Sequence, residues 1–307
     1  MGAPPPASDA KIRPERKTTG WFRKPKAQTP GEQLQVANNL LANGYKREAA
    51  RQYDALVAKW HESPQAPVAQ LAYAKLIEER GDNLDAFHEF QYLIDHFAGR
   101  FPFEEALDHQ FHIANTVMTQ RHGRFLFGGY TTPEQALPLL EQIVKNGPQW
   151  KDTPGAQFNI ALIQEENKDY DKAISAYEVI QVSYPDSPMA EEAIFRRAQC
   201  LYTLANAAPR HEPGYRDALS ALATFVQNYP KSVHAETAGK CLDELKERLA
   251  AMYFERAVFY DKLAHRPKAA VIAYADFIRN FPTSDLAAEA GDRMDTLKLE
   301  MEKSHEK

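Results

Sequence analysis

The sequence predicts an all-α protein, a right-handed solenoid of about six helix pairs closed by a C-terminal capping helix. Three observations carry this expectation. Alternating apolar–polar runs of the kind that build strands are scarce, whereas Ala, Leu, Glu, Gln and Lys recur in long glycine-poor stretches. The twenty prolines fall mostly in the first thirty residues or at regular breaks between apolar-periodic segments, where they end helices rather than interrupt them. Most specifically, a small residue, an aromatic and an aromatic-Pro or Ser-Pro stop recur in the same order from about residue 33 to residue 284.

Residues 1–30 read as a disordered, basic, proline-rich linker. The stretch holds Lys11, Arg13, Arg16, Lys17, Arg23, Lys24 and Lys26 against Asp9 and Glu15, a charge of +5. The whole chain carries −5, so subtracting +5 leaves −10 for the body. Phosphate contacts need clustered cations, and none occur beyond this arm, which argues against a nucleic-acid surface. The arm is expected to be solvated, given its prolines, and contact with an anionic membrane surface is the sharper alternative. No apolar run of signal or membrane-spanning length is present, which predicts a soluble chain.

The solenoid is expected over residues 31–303, with repeats near 33–64, 67–100, 104–150, 154–188, 190–233 and 235–284 and the cap over 285–303. The unit from Phe158 to Pro188 is the clearest. Ala161 lets the second helix approach the first, Ala173 does the same twelve residues later, and Tyr177 lies one turn on. Tyr184-Pro185 closes the pair, because proline cannot continue the hydrogen-bond ladder. Ser187-Pro188 is expected to open the next helix as an N-cap followed by proline in its first turn. Ala37, Ala49, Tyr53, Trp60 and Ser63-Pro64 repeat this spacing without a gap, and Ala74, Gly81, Ala86, Phe90 and Phe97 give another copy. Between Ala114 and Ala136, and again between Ala198 and Ala218, extra turn-rich residues lie between the helices of a unit: RHGRFLFGGYTTP and NAAPRHEPGY. The last copy, with Ala270, Tyr274 and Phe281-Pro282, follows an unusually long helical stretch from about Ala235 to Leu263. No unit of this kind buries its apolar face alone, so neighbours must stack into one continuous core. The pattern is of the tetratricopeptide (TPR) type.

The residues hold no HExxH, GxSxG, phosphate-loop or CxxC motif, and the expectation is a protein that is not an enzyme and needs no cofactor. Cys200 and Cys241 sit in apolar helical contexts and read as core residues. His109 and His112, with Glu105 one turn earlier, come closest to a metal site, but exposed amphipathic histidines explain them more simply, and no metal site is expected. Glu165-Glu166 and Glu191-Glu192 read as helix-end acids, the latter pair complementing a helix N-terminus.

The first helices of successive repeats are expected to line a groove. On them, Asn115, Asn159 and Arg196 occupy three places that carry Asn, Asn and Arg in TPR domains that grip a terminal carboxylate. The two lysine places of that clamp hold Phe111 and Glu192, so a carboxylate grip is not expected. What remains is either an amide-lined groove able to bond an extended peptide backbone, or ordinary surface polarity. Phe125, Phe127 and Tyr130 in the first inserted loop either tuck back onto the solenoid or meet a partner.

From about Gln33 to Leu297 the chain resembles the outer-membrane assembly lipoproteins of the BamD (YfiO-like) family. The resemblance rests on GYKREAARQYDALVAKWHESPQAP, the YPDSPMAEEA and YPKSVHAETA stops, and the closing LAAMYFERAVFYDKLAHRPKAAVIAYADFIRNFPTSDLAAEA. The family normally has five repeats and a lipidated N-terminal cysteine; here a sixth unit and inserted loops are expected and that cysteine is absent from the sequence. The resemblance implies a scaffold at the periplasmic face of the outer membrane. Its partners would be unfolded outer-membrane-protein segments and other assembly subunits, with membrane attachment only through a lipid anchor. The alternative is a general periplasmic or cytoplasmic TPR adaptor with a different client.

Overall fold

The computed structural model describes residues 24–122, 130–208 and 211–305. Among them are thirteen α-helices: α1 (Pro30–Ala42), α2 (Lys46–Lys59), α3 (Gln65–Glu79), α4 (Asn83–His96), α5 (Phe103–Thr119), α6 (Leu137–Asn146), α7 (Thr153–Glu166), α8 (Tyr170–Ser183), α9 (Ala190–Ala207), α10 (Glu212–Asn228), α11 (Ala235–Val258), α12 (Pro267–Asn280) and α13 (Ala287–His305). The fold is an all-α TPR-type solenoid. The chain forms two compact units, Met1–Ile163 and Gln164–Lys307.

Three local devices repeat along the chain. The small residues Ala37, Ala74, Ala114, Ala161 and Ala198 of the first helices, and Ala49, Ala86, Ala173, Ala218 and Ala270 of the second, are all fully buried. A larger side chain at any of them would force the helix axes apart. Five residues before four of the second-helix alanines, the backbone turns left-handed, at Gly44 (φ 82°), Gly81 (φ 87°), Lys168 (φ 63°) and His265 (φ 50°). Glycine takes this conformation freely; Lys168 and His265 hold it with a side chain in place.

The third device is the stop between repeats. The N–H of Ser63, Ser187, Ser232 and Ser284 donates to the carbonyl of the aromatic three residues earlier, and the serine carbonyl accepts from Ala66, Ala190, Ala235 and Ala287 three residues later. Two successive tight turns thus join one pair to the next. This corrects the expectation for Ser187-Pro188. Helix α9 begins at Ala190 with Met189 as its N-cap, three residues beyond the start that a Ser187 cap requires, so the Ser187 hydroxyl caps nothing. The second insertion is also shorter than its turn-rich composition implies. Asn206 and Ala207 extend α9, and Glu212–Tyr215 form the first turn of α10, where Pro213 fits the N-terminal turn.

In the first unit, α1 starts at a capping box: Thr29 accepts from the Glu32 backbone and Glu32 reaches back to the Thr29 N–H, with proline in the first turn. Four residues before the small alanine of each of the first four repeats stands a buried glutamine: Gln33, Gln70, Gln110 and Gln157. Gln33 donates to the Gln52 carbonyl (3.1 Å) and side-chain oxygen (2.8 Å), and accepts from the Lys26 and Ala27 N–H groups. Gln70 likewise reaches the Glu89 carbonyl, at 2.9 Å. Replacing Gln33 with Ala is expected to cost about 2 kcal/mol, since it leaves the inward Gln52 amide unpaired. A urea titration of the variant should show a lower midpoint with an unchanged slope.

A two-residue ladder, β1 (Arg121–His122) with β2 (Tyr130–Thr131), closes the first insertion, pairing His122 with Tyr130. Phe125 and Phe127 lie outside the described residues.

The second unit is built around Phe195, Tyr215, Leu222, Phe225, Leu245, Tyr253, Tyr274, Phe277 and Leu297, all buried. The long α11 runs into a π-helical turn, Phe259–Leu263, that turns Asp261 inward. Asp261, its side chain 2% exposed, takes two bonds from Arg293 of α13, at 2.7 and 2.8 Å, and one from the Tyr274 hydroxyl. This ion pair locks the last helix onto the last repeat.

Candidate functional site

Helical spacing places Glu105, Asp108, His109 and His112 on one face of α5, and Lys75, Leu76, Glu78 and Glu79 along α3. Together with Leu41 of α1 and Ala72 of α3 they line an open groove of about 850 Å³ in the first unit. Its floor is apolar and its walls are acidic, with four carboxylates against one lysine. Each carboxylate has a partner. Lys75 bonds Glu105, Lys46 bonds Glu79, and Lys151 reaches Asp108 at 3.2 Å. His109 lies flat on Phe90, ring centres 4.8 Å apart, with its Nδ1 2.6 Å from Glu78. Sequence reasoning missed the α1 and α3 residues. Their signal was the same inner-face spacing one repeat earlier for α3 and two for α1.

Asn115 continues the α5 face beyond His112. The structure brings it to Asn159 of α7, whose amide donates to the Asn115 oxygen at 2.7 Å. Both are half-buried. Phe111, at one lysine place of the carboxylate clamp, packs edge-on against the buried Trp150, ring centres 5.6 Å apart, beside Gly155. A cation there would lose its solvation against an indole and a glycine backbone.

Arg196 belongs to the second unit and is already engaged. It donates to Glu192 at 2.7 Å and to Glu165 at 3.3 Å. Glu165 also accepts from the Tyr177 hydroxyl at 2.6 Å, and Glu192 bonds His234 at 2.7 Å. The His234 ring stacks on Phe195, centres 4.1 Å apart. Burial, then the Glu165 bond, push the Tyr177 phenol well above its ordinary range. Burial raises the neighbouring Cys200 thiol to about 12, so this cysteine stays protonated. Glu165 and Glu192 are therefore partly buried members of a network, and Glu192 also stands in the first turn of α9, as its sequence position implies.

Among the described residues no three His, Cys, Asp or Glu side chains converge as a metal-binding group, and no helix is long and apolar enough to cross a membrane. The arrangement is suited to recognition: paired amides and an acidic groove with an apolar floor.

Residues 128–306, more than half of the chain, match the family model of the outer membrane lipoprotein YfiO. The chain belongs to the YfiO family. A TPR model matches residues 34–101 of this YfiO-family chain, which covers the first two helix pairs. No curated protein matches the sequence. Among solved structures, the C-terminal part of a TPR repeat-containing protein from Cytophaga hutchinsonii is 17% identical, over 86% of this chain and 88% of that one, with a TM-score of 0.35. A tetratricopeptide repeat protein from Parabacteroides merdae is 12% identical over 87% and 99%, at 0.33. The apo form of RapI is 15% identical over 89% and 76%, also at 0.33. The YfiO and TPR families are generally non-catalytic, and the chain is a TPR protein-binding scaffold related to outer-membrane assembly.

Proposed function

We propose that this YfiO-family chain works at the periplasmic face of the outer membrane as a non-catalytic assembly scaffold. The first unit holds extended segments of unfolded outer-membrane proteins, and the second holds other assembly subunits. The observation that carries the client reading is the Asn115–Asn159 amide pair, which continues the α5 face that lines the groove. Each amide presents both a donor and an acceptor, the pairing that a peptide backbone requires, while Phe111 removes any preference for a charged chain end. Arg196 is the third proposed contact, and it joins only by giving up Glu165 or Glu192. Phe125, Phe127 and Tyr130 of the first insertion form a second proposed contact, for a partner's apolar surface.

Calorimetric titration with an extended peptide ending in an aromatic residue tests this. Asn115→Ala combined with Asn159→Ala is expected to weaken binding about tenfold, two modest hydrogen bonds' worth, with Arg196→Ala adding less. Unchanged affinity in the triple variant would place the client elsewhere.

A further inference from the structure

The groove of the first unit and the basic arm that precedes α1 are complementary in two independent ways. The groove offers Glu78, Glu79, Glu105 and Asp108 over a floor of Leu41, Ala72 and Leu76. The segment Lys11–Arg23 offers Lys11, Arg13, Arg16, Lys17 and Arg23 against the single Glu15, and the aromatic pair Trp21-Phe22. These residues lie outside the described ones. The chain entering α1 is tied down at Lys26 and Ala27 by Gln33, which sets where the arm departs. Helix α1 carries the chain from Pro30 to Leu41, about 17 Å at 1.5 Å per residue. The stretch from Lys24 back to Lys11 spans up to about 43 Å when extended, so reach is not limiting.

We propose that the segment Lys11–Arg23 occupies this groove in the absence of client, its cations on the groove carboxylates and Trp21-Phe22 on the apolar floor. Three of the four carboxylates are held by lysines in exposed or half-exposed pairs, Lys46–Glu79, Lys75–Glu105 and Lys151–Asp108. Such pairs contribute little and exchange readily for other cations. The arm is tethered, so its local concentration at the groove is in the millimolar range even if each contact is weak. A client then enters by displacing the arm, which sets a threshold on what the groove accepts. The inference rests on the groove being the peptide site.

Carbodiimide treatment of the full-length protein, which joins a lysine amine to a carboxylate in direct contact, followed by peptide mass spectrometry, reads this contact without any client. Lys11 and Lys17 are expected to couple to Glu79, Glu105 or Asp108. Reversing the arginines (R13E/R16E/R23E) leaves both reactive lysines in place and is expected to lower that yield about fivefold, because the attraction that positions them is gone. The same variant should bind the aromatic-ended peptide several-fold more tightly, since the competitor is removed. Couplings that avoid the groove, or a yield that the arginine reversal leaves unchanged, overturn the proposal. So does a predominance of cross-links between light and heavy copies in an isotope-mixed sample, which would make a second molecule the occupant. Loss of peptide binding with the cross-links intact would instead reject the client reading alone.

Discussion

Arg293→Ala is expected to destabilise the second unit by about 3 kcal/mol, the lower end of the cost of breaking a buried ion pair. The lower end applies because Asp261, 2% exposed, would keep the Tyr274 hydroxyl at 3.3 Å and Lys262 at 3.5 Å. The cost remains large because a carboxylate turned inward by the π-helical turn cannot recover its solvation. Hydrogen exchange should locate the loss in α12 and α13, whose Tyr274 and Arg293 both bond Asp261. The same pair predicts a pH dependence. The Arg293 bonds hold the Asp261 carboxyl below its usual range. A depressed folded-state value stabilises the protein above the unfolded value of about 4 and ceases to do so as pH falls through the folded value. Asp261→Asn should therefore lower stability at neutral pH and flatten the acid limb of the second unit's stability curve. An acid limb that matches the parent's would assign acid unfolding to other carboxylates.

Phe225→Ala is the second large effect, expected to cost about 3–5 kcal/mol. Phe225 is fully buried, packed against Phe195 and Tyr229 with ring centres 5.3 Å away in each case. Helices α9 and α10 meet at that ring, so neither side can collapse into the space without losing its own contacts. Phe195 also supports His234 and, through it, Glu192 and Arg196. The variant should thus loosen the Arg196 network as well as the core. A thermal melt gives the size of the loss; a loss below 1 kcal/mol would mean that the unit repacks around the gap.

Much of the architecture was legible before any coordinates. The buried alanines and the aromatic at each stop lie at fixed offsets inside one repeat, and solenoid packing is between chain neighbours, so local spacing carries it. The long α11 was legible for the same reason. The buried glutamines were equally regular, four residues before the small alanine of each of the first four repeats, but a polar side chain on a helix gives no sign of burial until its partner is known. Ser187 was misread because Ser-Pro is also the signature of an N-cap, and only the two flanking turn bonds separate the two uses.

The candidate site divides along the same line. That Phe111 and Glu192 break a carboxylate clamp follows from residue identity, and so does the basic character of the arm. That Asn115 meets Asn159, that Arg196 is taken by Glu165 as well as by Glu192 one turn away, and that Asp261 turns inward to Arg293 required the folded chain. The contacts with Asn159, Glu165 and Arg293 join residues 44, 31 and 32 positions apart. Within one helix turn a charge pair can be read from spacing. Across repeats it depends on which faces the inserted loops and the π-helical turn bring opposite one another. Read alone, the amino acids settle the helix pairs and their order, because these depend on local periodicity. Only the packed chain decides which polar groups stay open to a partner, because pairing and desolvation belong to neighbours that the sequence keeps apart.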